Sequence, residues 1–144
     1  MPINTIEFTK VEKEISETGR SRLDYLAPEV GKVYVIAITR DGCSACEKQK
    51  PKLNELAKGL VEKHGSKVVF TRIHVKRPQG SDEESLRSKD VFGHYFYPTN
   101  LILLRTVDRG VIEFYKGISL EMDELRKNIG IAVEIASMIE KEMA

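Results

Sequence analysis

The sequence predicts an α/β domain with a central mixed sheet and helices on both faces, in the order β-α-β-α-β-α-β-β-α. Three observations carry this. Residues 32–39, Lys-Val-Tyr-Val-Ile-Ala-Ile-Thr, are a nearly unbroken apolar run rich in β-branched side chains. Such a run reads as a strand covered on both sides, in the middle of a sheet flanked by helices. Residues 67–75 repeat the pattern after a stretch of helical periodicity, and strands that alternate with helices build a layered sheet. Residues 100–106 and 111–115 are two further strand-like runs, joined by Val107-Asp108-Arg109-Gly110, a hairpin signal.

In chain order, residues 3–8 alternate roughly and read as a short first strand. Residues from about 11 to 26 carry Val11, Ile15, Leu23 and Leu26 among charges, a helix with a break expected at Gly19 and an end marked by Pro28 and Gly31. Arg40-Asp41-Gly42 is a turn after the central strand. Leu53, Leu56, Ala57, Leu60 and Val61 then recur at helical spacing, and His64-Gly65 closes that helix. Residues 77–81 form a loop, and Ser81 or Asp82 is placed to cap a short helix carrying Leu86. Ser119 is placed to cap a last helix, with Glu121 and Glu124 near its positive end. Its apolar stripe runs through Met122, Leu125, Ile129, Val133, Ala136 and Ile139, with a bend expected at Gly130. We read residues 1–144 as one domain, with 129–144 as a C-terminal helical extension that covers the sheet.

The 144 residues are enough to bury a real core. Twenty-three Lys and Arg against 22 Asp and Glu leave a formal charge of +1, without the basic excess of a binder of nucleic acid or anionic membrane. No apolar run approaches the ~20 residues of a membrane span, and Met1 to Glu7 lacks the charged-then-apolar pattern of a signal peptide. A soluble, cytoplasmic protein is expected. Sixteen Glu and 14 Lys beside two Gln and four Asn resemble the charge-rich, amide-poor bias of thermophile proteins, in some of which intracellular disulfides occur.

The chemistry concentrates at Cys43-Ser44-Ala45-Cys46, between the central strand with its Gly turn and the helix that follows. The thiolate is the nucleophile of disulfide exchange, and free cysteine, with a pKa of ~8.5, is mostly protonated at neutral pH. At a helix N-terminus the unpaired N–H groups and the macrodipole favour a thiolate. The two-residue spacer returns Cys46 over the first turn, close enough to attack a mixed disulfide on Cys43. Cys43 is therefore expected as the exposed attacking thiol and Cys46 as the more buried resolving one. Ser44-Ala45 adds no positive group and Asp41 opposes the thiolate, so a moderate effect on Cys43 is expected. The alternatives are incidental cysteines or half of a zinc site. Zinc needs two further ligands, and His64, His74 and His94 are not spaced as paired ligands.

Tyr97-Pro98-Thr99 precedes the fourth strand. Proline lacks an N–H, and X-Pro is the bond that adopts cis at low cost. A cis Pro98 turns the Tyr97 backbone outward, free to pair with an extended peptide. Taken alone, Tyr97-Pro98 reads more readily as an ordinary trans turn.

Together these features resemble the thioredoxin family over residues 3–128. They are Cys43-x-x-Cys46 after a buried strand, Pro51 five residues after Cys46, Phe92-Gly93 followed by Pro98-Thr99, and Gly110 with Lys116-Gly117 around the last strand. The resemblance implies a thioredoxin-like fold, Cys43 as nucleophile, Cys46 as resolver and a cis Pro98 beside them. It implies a thiol–disulfide oxidoreductase that needs no cofactor and no metal. The partners implied are protein disulfide substrates and an upstream redox protein, docking around Gly42, Cys43, Tyr97 and Pro98. The alternative is a binding or adaptor module with a vestigial or regulatory cysteine pair. The chain departs from the family pattern in four places. Gly42 replaces the usual Trp, Ser44-Ala45 the usual Gly-Pro, and Glu47 a basic residue. Ala37 stands where thioredoxins bury an Asp beneath the second cysteine. His94 reads as a packing residue more readily than as a proton shuttle, and Tyr95 and Phe96 as core or as an apolar rim. Arg72 and His74 fall near the same region without an assigned role.

Overall fold

The structure is a computed structural model that describes residues 2–118 and 120–143. Its elements are β1 (Ile3–Glu7), α1 (Phe8–Thr18), α2 (Arg22–Leu26), β2 (Val33–Arg40), α3 (Ser44–His64), β3 (Val68–Val75), α4 (Glu83–Phe92), β4 (Thr99–Arg105), β5 (Val111–Gly117) and α5 (Met122–Lys141). They form one mixed sheet in the order β1-β3-β2-β4-β5. Strand β3 runs parallel to both β1 and β2, whereas β4 is antiparallel to β2 and β5. The α/β architecture is as the sequence predicts.

Strand β2 is central and buried along nearly its whole length, which explains its unbroken apolar sequence. Alternate residues feed two cores. Val33, Val35 and Ala37 pack with Leu53, Leu56, Ala57 and Leu60 of α3 and with Leu125, Ile129, Ala132 and Ala136 of α5. Tyr34, Ile36 and Ile38 face the other way, onto Phe8, Val11, Leu26 and Phe92. The four α3 residues follow i, i+3, i+4, i+7 spacing, one face of a helix. Helix α5 covers the sheet as expected and runs unbroken through Gly130 from Met122 to Lys141. The expected cap at Ser119 lies outside the described residues.

The start of α1 differs from the sequence reading, and several strand ends differ by one or two residues. Strand β1 ends at Glu7, and Phe8 already opens α1. Phe8 is fully buried edge-on against Phe92, with ring centroids 6.0 Å apart, so packing starts this helix without a polar cap. Gly19 does end α1, with φ of 70°. At α4, Ser81 Oγ accepts the Glu83 N–H (3.3 Å), while the Asp82 carboxylate is drawn away to Arg77 Nε (2.8 Å).

Candidate active site

On the α3 side of the sheet, the face that is apolar through Val33, Val35 and Ala37 of β2 turns polar at Thr39. The neighbouring strands change with it, to Arg72 and His74 on β3 and to Thr5 and Glu7 on β1. These residues are held beside one another by register, since Thr39 and Glu7 both pair with His74, and Thr5 pairs with Arg72. The polar patch lies at the C-terminal ends of three parallel strands, where open α/β sheets place their sites. Helix α3 starts directly above it.

Cys43 is the N-cap of α3, and its Sγ accepts the Cys46 backbone N–H (3.1 Å). That N–H is one of the donors a helix start leaves unpaired, so the cap stabilises negative charge on Cys43 sulfur. The two cysteines form a disulfide across this first turn, with Cα atoms 5.2 Å apart. Among the described residues no group of three or more His, Cys, Asp or Glu is arranged to hold a metal ion. The expected contrast in exposure is slight: Cys43 is 9% exposed and Cys46 6%. Cys43 is screened because its Sγ lies 3.5 Å from the Tyr97 carbonyl oxygen.

The Tyr97–Pro98 peptide bond is cis, as the resemblance implied. Tyr97 is anchored from α4: its hydroxyl donates to the Ser85 carbonyl (3.2 Å) and bonds Ser88 Oγ. The Arg40 guanidinium sits 5.2 Å and the Lys89 ammonium 5.8 Å from the centre of the Tyr97 ring. Among the described residues the Tyr97 N–H has no hydrogen-bond partner. Gly42 adopts a φ of 69°, a left-handed backbone that disfavours side chains by ~1–2 kcal/mol. The structure therefore gathers Cys43, Cys46, Tyr97 and Pro98 in one place, with Gly42 at the turn leading in. Pro51 lies within α3, where it leaves the Glu47 carbonyl without its helical partner.

His94 is a packing residue. It is 3% exposed, stacked edge-on to Tyr97 with centroids 4.8 Å apart, and neither ring nitrogen has a partner among the described residues. Burial beside Lys89 and Lys116 pushes its pKa down to about 4, so it is neutral at physiological pH. Tyr95 and Phe96 are exposed on the loop before Tyr97.

Sequence reasoning missed two features. The first is a hydroxyl–imidazole–carboxylate chain: Thr39 Oγ1 lies 3.0 Å from His74 Nδ1, and His74 Nε2 lies 2.6 Å from Asp41 Oδ1. Asp41 also accepts the Arg77 N–H (3.0 Å), and these bonds, His74 foremost, hold its carboxyl below the usual carboxylate range. Asp41 therefore directs its charge at His74 and Arg77. The second is a buried amide pair. Gln49 Nε2 donates to Asn100 Oδ1 (3.2 Å), and Asn100 Nδ2 donates to Gln49 Oε1 (2.8 Å), tying α3 to β4.

No protein-family model and no curated protein sequence matches the chain. Solved structures do match it. The short form of thioredoxin f from spinach chloroplast aligns over 94% of this chain and 93% of its own, at a TM-score of 0.55 and 16% identity. The chain has the thioredoxin fold. Thioredoxin f2 from Chlamydomonas reinhardtii gives a TM-score of 0.59 at 13% identity, covering 90% of this chain and 95% of that one. A chain in the complex of ferredoxin:thioredoxin reductase with thioredoxin f2 gives 0.56 at 17% identity, covering 90% and 94%. Within this thioredoxin fold the Cys43–Cys46 disulfide crowns the central strand.

Proposed function

We propose that this chain is a thiol–disulfide oxidoreductase acting on protein disulfides. One observation carries the reading: the disulfide closes over the first turn of α3 with the Cys43 sulfur at the helix N-cap, beside Tyr97 and the cis Pro98. In the reductive direction the Cys43 thiolate attacks one sulfur of a substrate disulfide, and the other substrate sulfur leaves with the bond's electron pair. Cys46 then attacks the Cys43 sulfur, forming the intramolecular disulfide and releasing the reduced substrate. The oxidative direction is the reverse. The two sulfurs hold both electrons, so the exchange itself calls for no further group.

An extended substrate segment pairs with the unpartnered Tyr97 N–H while its disulfide meets Cys43. An upstream redox protein would dock on the same surface, around Gly42, Cys43, Tyr97 and Pro98. The presence of this fold in a complex that holds a reductase supports such a partner.

The test is the equilibrium of the pair against defined thiol buffers. A two-electron couple near about −270 mV marks a reductant, and one near about −120 to −180 mV an oxidant or isomerase. Cys43→Ser should abolish exchange, and Cys46→Ser should accumulate mixed disulfide on Cys43. Absence of any such couple would leave a binding module with an inert cysteine pair.

A further inference from the structure

Resolving the mixed disulfide requires Cys46 to lose its proton, and Ala37 of β2, the position at which the resemblance leads one to expect a buried Asp, cannot take one. The structure offers a different acceptor. Cys46 lines a polar cavity of about 230 Å³ whose wall includes Thr39, His74, Arg72, Arg40 and Glu47. At roughly 30 Å³ per water in the liquid, the cavity has room for several. We propose that the Thr39–His74–Asp41 chain receives the proton that Cys46 releases. The assignment rests on the redox reading above.

The geometry sets the direction of the relay. Asp41, held ionised by its two donors, accepts from the His74 Nε2–H. The Nδ1 lone pair is then left facing the Thr39 hydroxyl, which donates to it. A proton leaving Cys46 passes through cavity water to Thr39 Oγ1, whose own proton moves to His74 Nδ1. The resulting imidazolium is paired with the Asp41 carboxylate. In the same step the Cys46 sulfur forms a bond to the Cys43 sulfur. The bond from Cys43 to the substrate sulfur breaks, and the substrate leaves as a thiolate. No oxidant or reductant beyond the mixed disulfide is consumed.

His74 and Asp41 act through Thr39 and are positioning residues. The other charges facing the relay are Glu7 from β1, Arg40 and Arg72 from the strand ends, and Glu47 and Lys50 from α3, with Lys76 beyond. Three cations against two carboxylates line the cavity itself, and the carboxylate bonded to the His74 ring is that of Asp41. Glu7 is turned to Lys76 (3.9 Å), and Glu47 projects from the exposed surface of α3.

The experiment is stopped-flow reaction of the reduced protein with one equivalent of dithiobis(nitrobenzoate). The first burst of aromatic thiolate reports attack by Cys43, and the second reports attack by Cys46. In His74→Gln and in the near-isosteric Thr39→Val, the second burst should slow about tenfold or more at pH 7, the range of a lost general base. The first burst should stay within about twofold of wild type. The ionisation governing the second burst should be replaced in both variants by that of an ordinary thiol near ~8.5, whereas Glu47→Gln should leave it in place. Unchanged second bursts, equal slowing of both bursts, or loss of the ionisation in Glu47→Gln alone would overturn the relay. A wild-type protein with no second burst would instead remove the redox reading, and the relay with it.

Discussion

Replacing Gln49 by leucine removes one half of the buried bridge between the helix that carries both cysteines and the strand that follows Pro98. Gln49 is 1% exposed and Asn100 2%, so neither amide has water to turn to. Two hydrogen bonds are lost, each worth ~1 kcal/mol net, and the Asn100 amide keeps a buried carbonyl and N–H groups without partners, at ~1–3 kcal/mol. The apolar side chain recovers ~1 kcal/mol. The expected net loss is therefore ~3 kcal/mol, which for a chain of 144 residues lowers the melting temperature by ~10 °C.

The double variant Gln49→Leu, Asn100→Leu removes both partners together and strands neither. It should cost less than the sum of the single variants, with a coupling of ~2 kcal/mol. Urea unfolding of the four proteins, all with the disulfide intact, measures the cycle. A Gln49→Leu protein within ~0.5 kcal/mol of wild type, or additive costs within that margin, would refute the argument. Either result would mean that the amides are solvated and that other contacts position α3.

Two further predictions concern single side chains. His94, with its folded pKa at about 4 against an ordinary 6.5, lets the unfolded chain bind the extra proton. Stability is therefore full above about pH 6.5 and falls as the pH drops towards 4, by up to ~3 kcal/mol. Denaturant titrations from pH 7 to about 4 should show that loss in wild type and a flatter profile in His94→Phe, which packs the same space without a titratable ring. Gly42→Ala meets only Arg77 Nη1, at 3.6 Å from the added Cβ, so it should fold. It should lose ~1 kcal/mol in urea unfolding, from the left-handed backbone alone.

What the sequence discloses follows from whether a signal is local. Strand β2 was legible because both of its faces are apolar, and the cysteine pair because two residues of spacing are chemistry in themselves. Gly19 marked the end of α1 by its own backbone freedom. The start of α1 was hidden because a buried ring, Phe8 against Phe92, does the work of a polar cap. Gln49 was hidden between Lys48 and Lys50, where an amide reads as surface, and its partner lies 51 residues away. The Thr39–His74 contact spans 35 residues and exists only because β2 and β3 pair in one register. A shift of that register by one residue would turn His74 to the other face. The slight difference in exposure between the cysteines had no sequence signal either, because the Tyr97 carbonyl that screens Cys43 arrives from another part of the chain.

The position of the polar residues on β2 has a physical logic of its own. Residue 37 lies within the apolar cluster formed with α3 and α5, and an ionisable group there would be stripped of water, at a cost of several kcal/mol for its charged form. One pleat further along the same face, Thr39 borders the cavity that Cys46 lines. A proton acceptor at this end of the sheet is paired with Asp41 and near solvent, while Ala37 stays within its apolar cluster beside the uncharged Gln49–Asn100 pair. Ala37 then belongs to the packing of α3, and the relay proposed above takes the Cys46 proton at the strand ends. On the proposed relay, Ala37 can change to another small apolar residue with an effect confined to stability, whereas a change at Thr39 or His74 reaches the Cys46 sulfur.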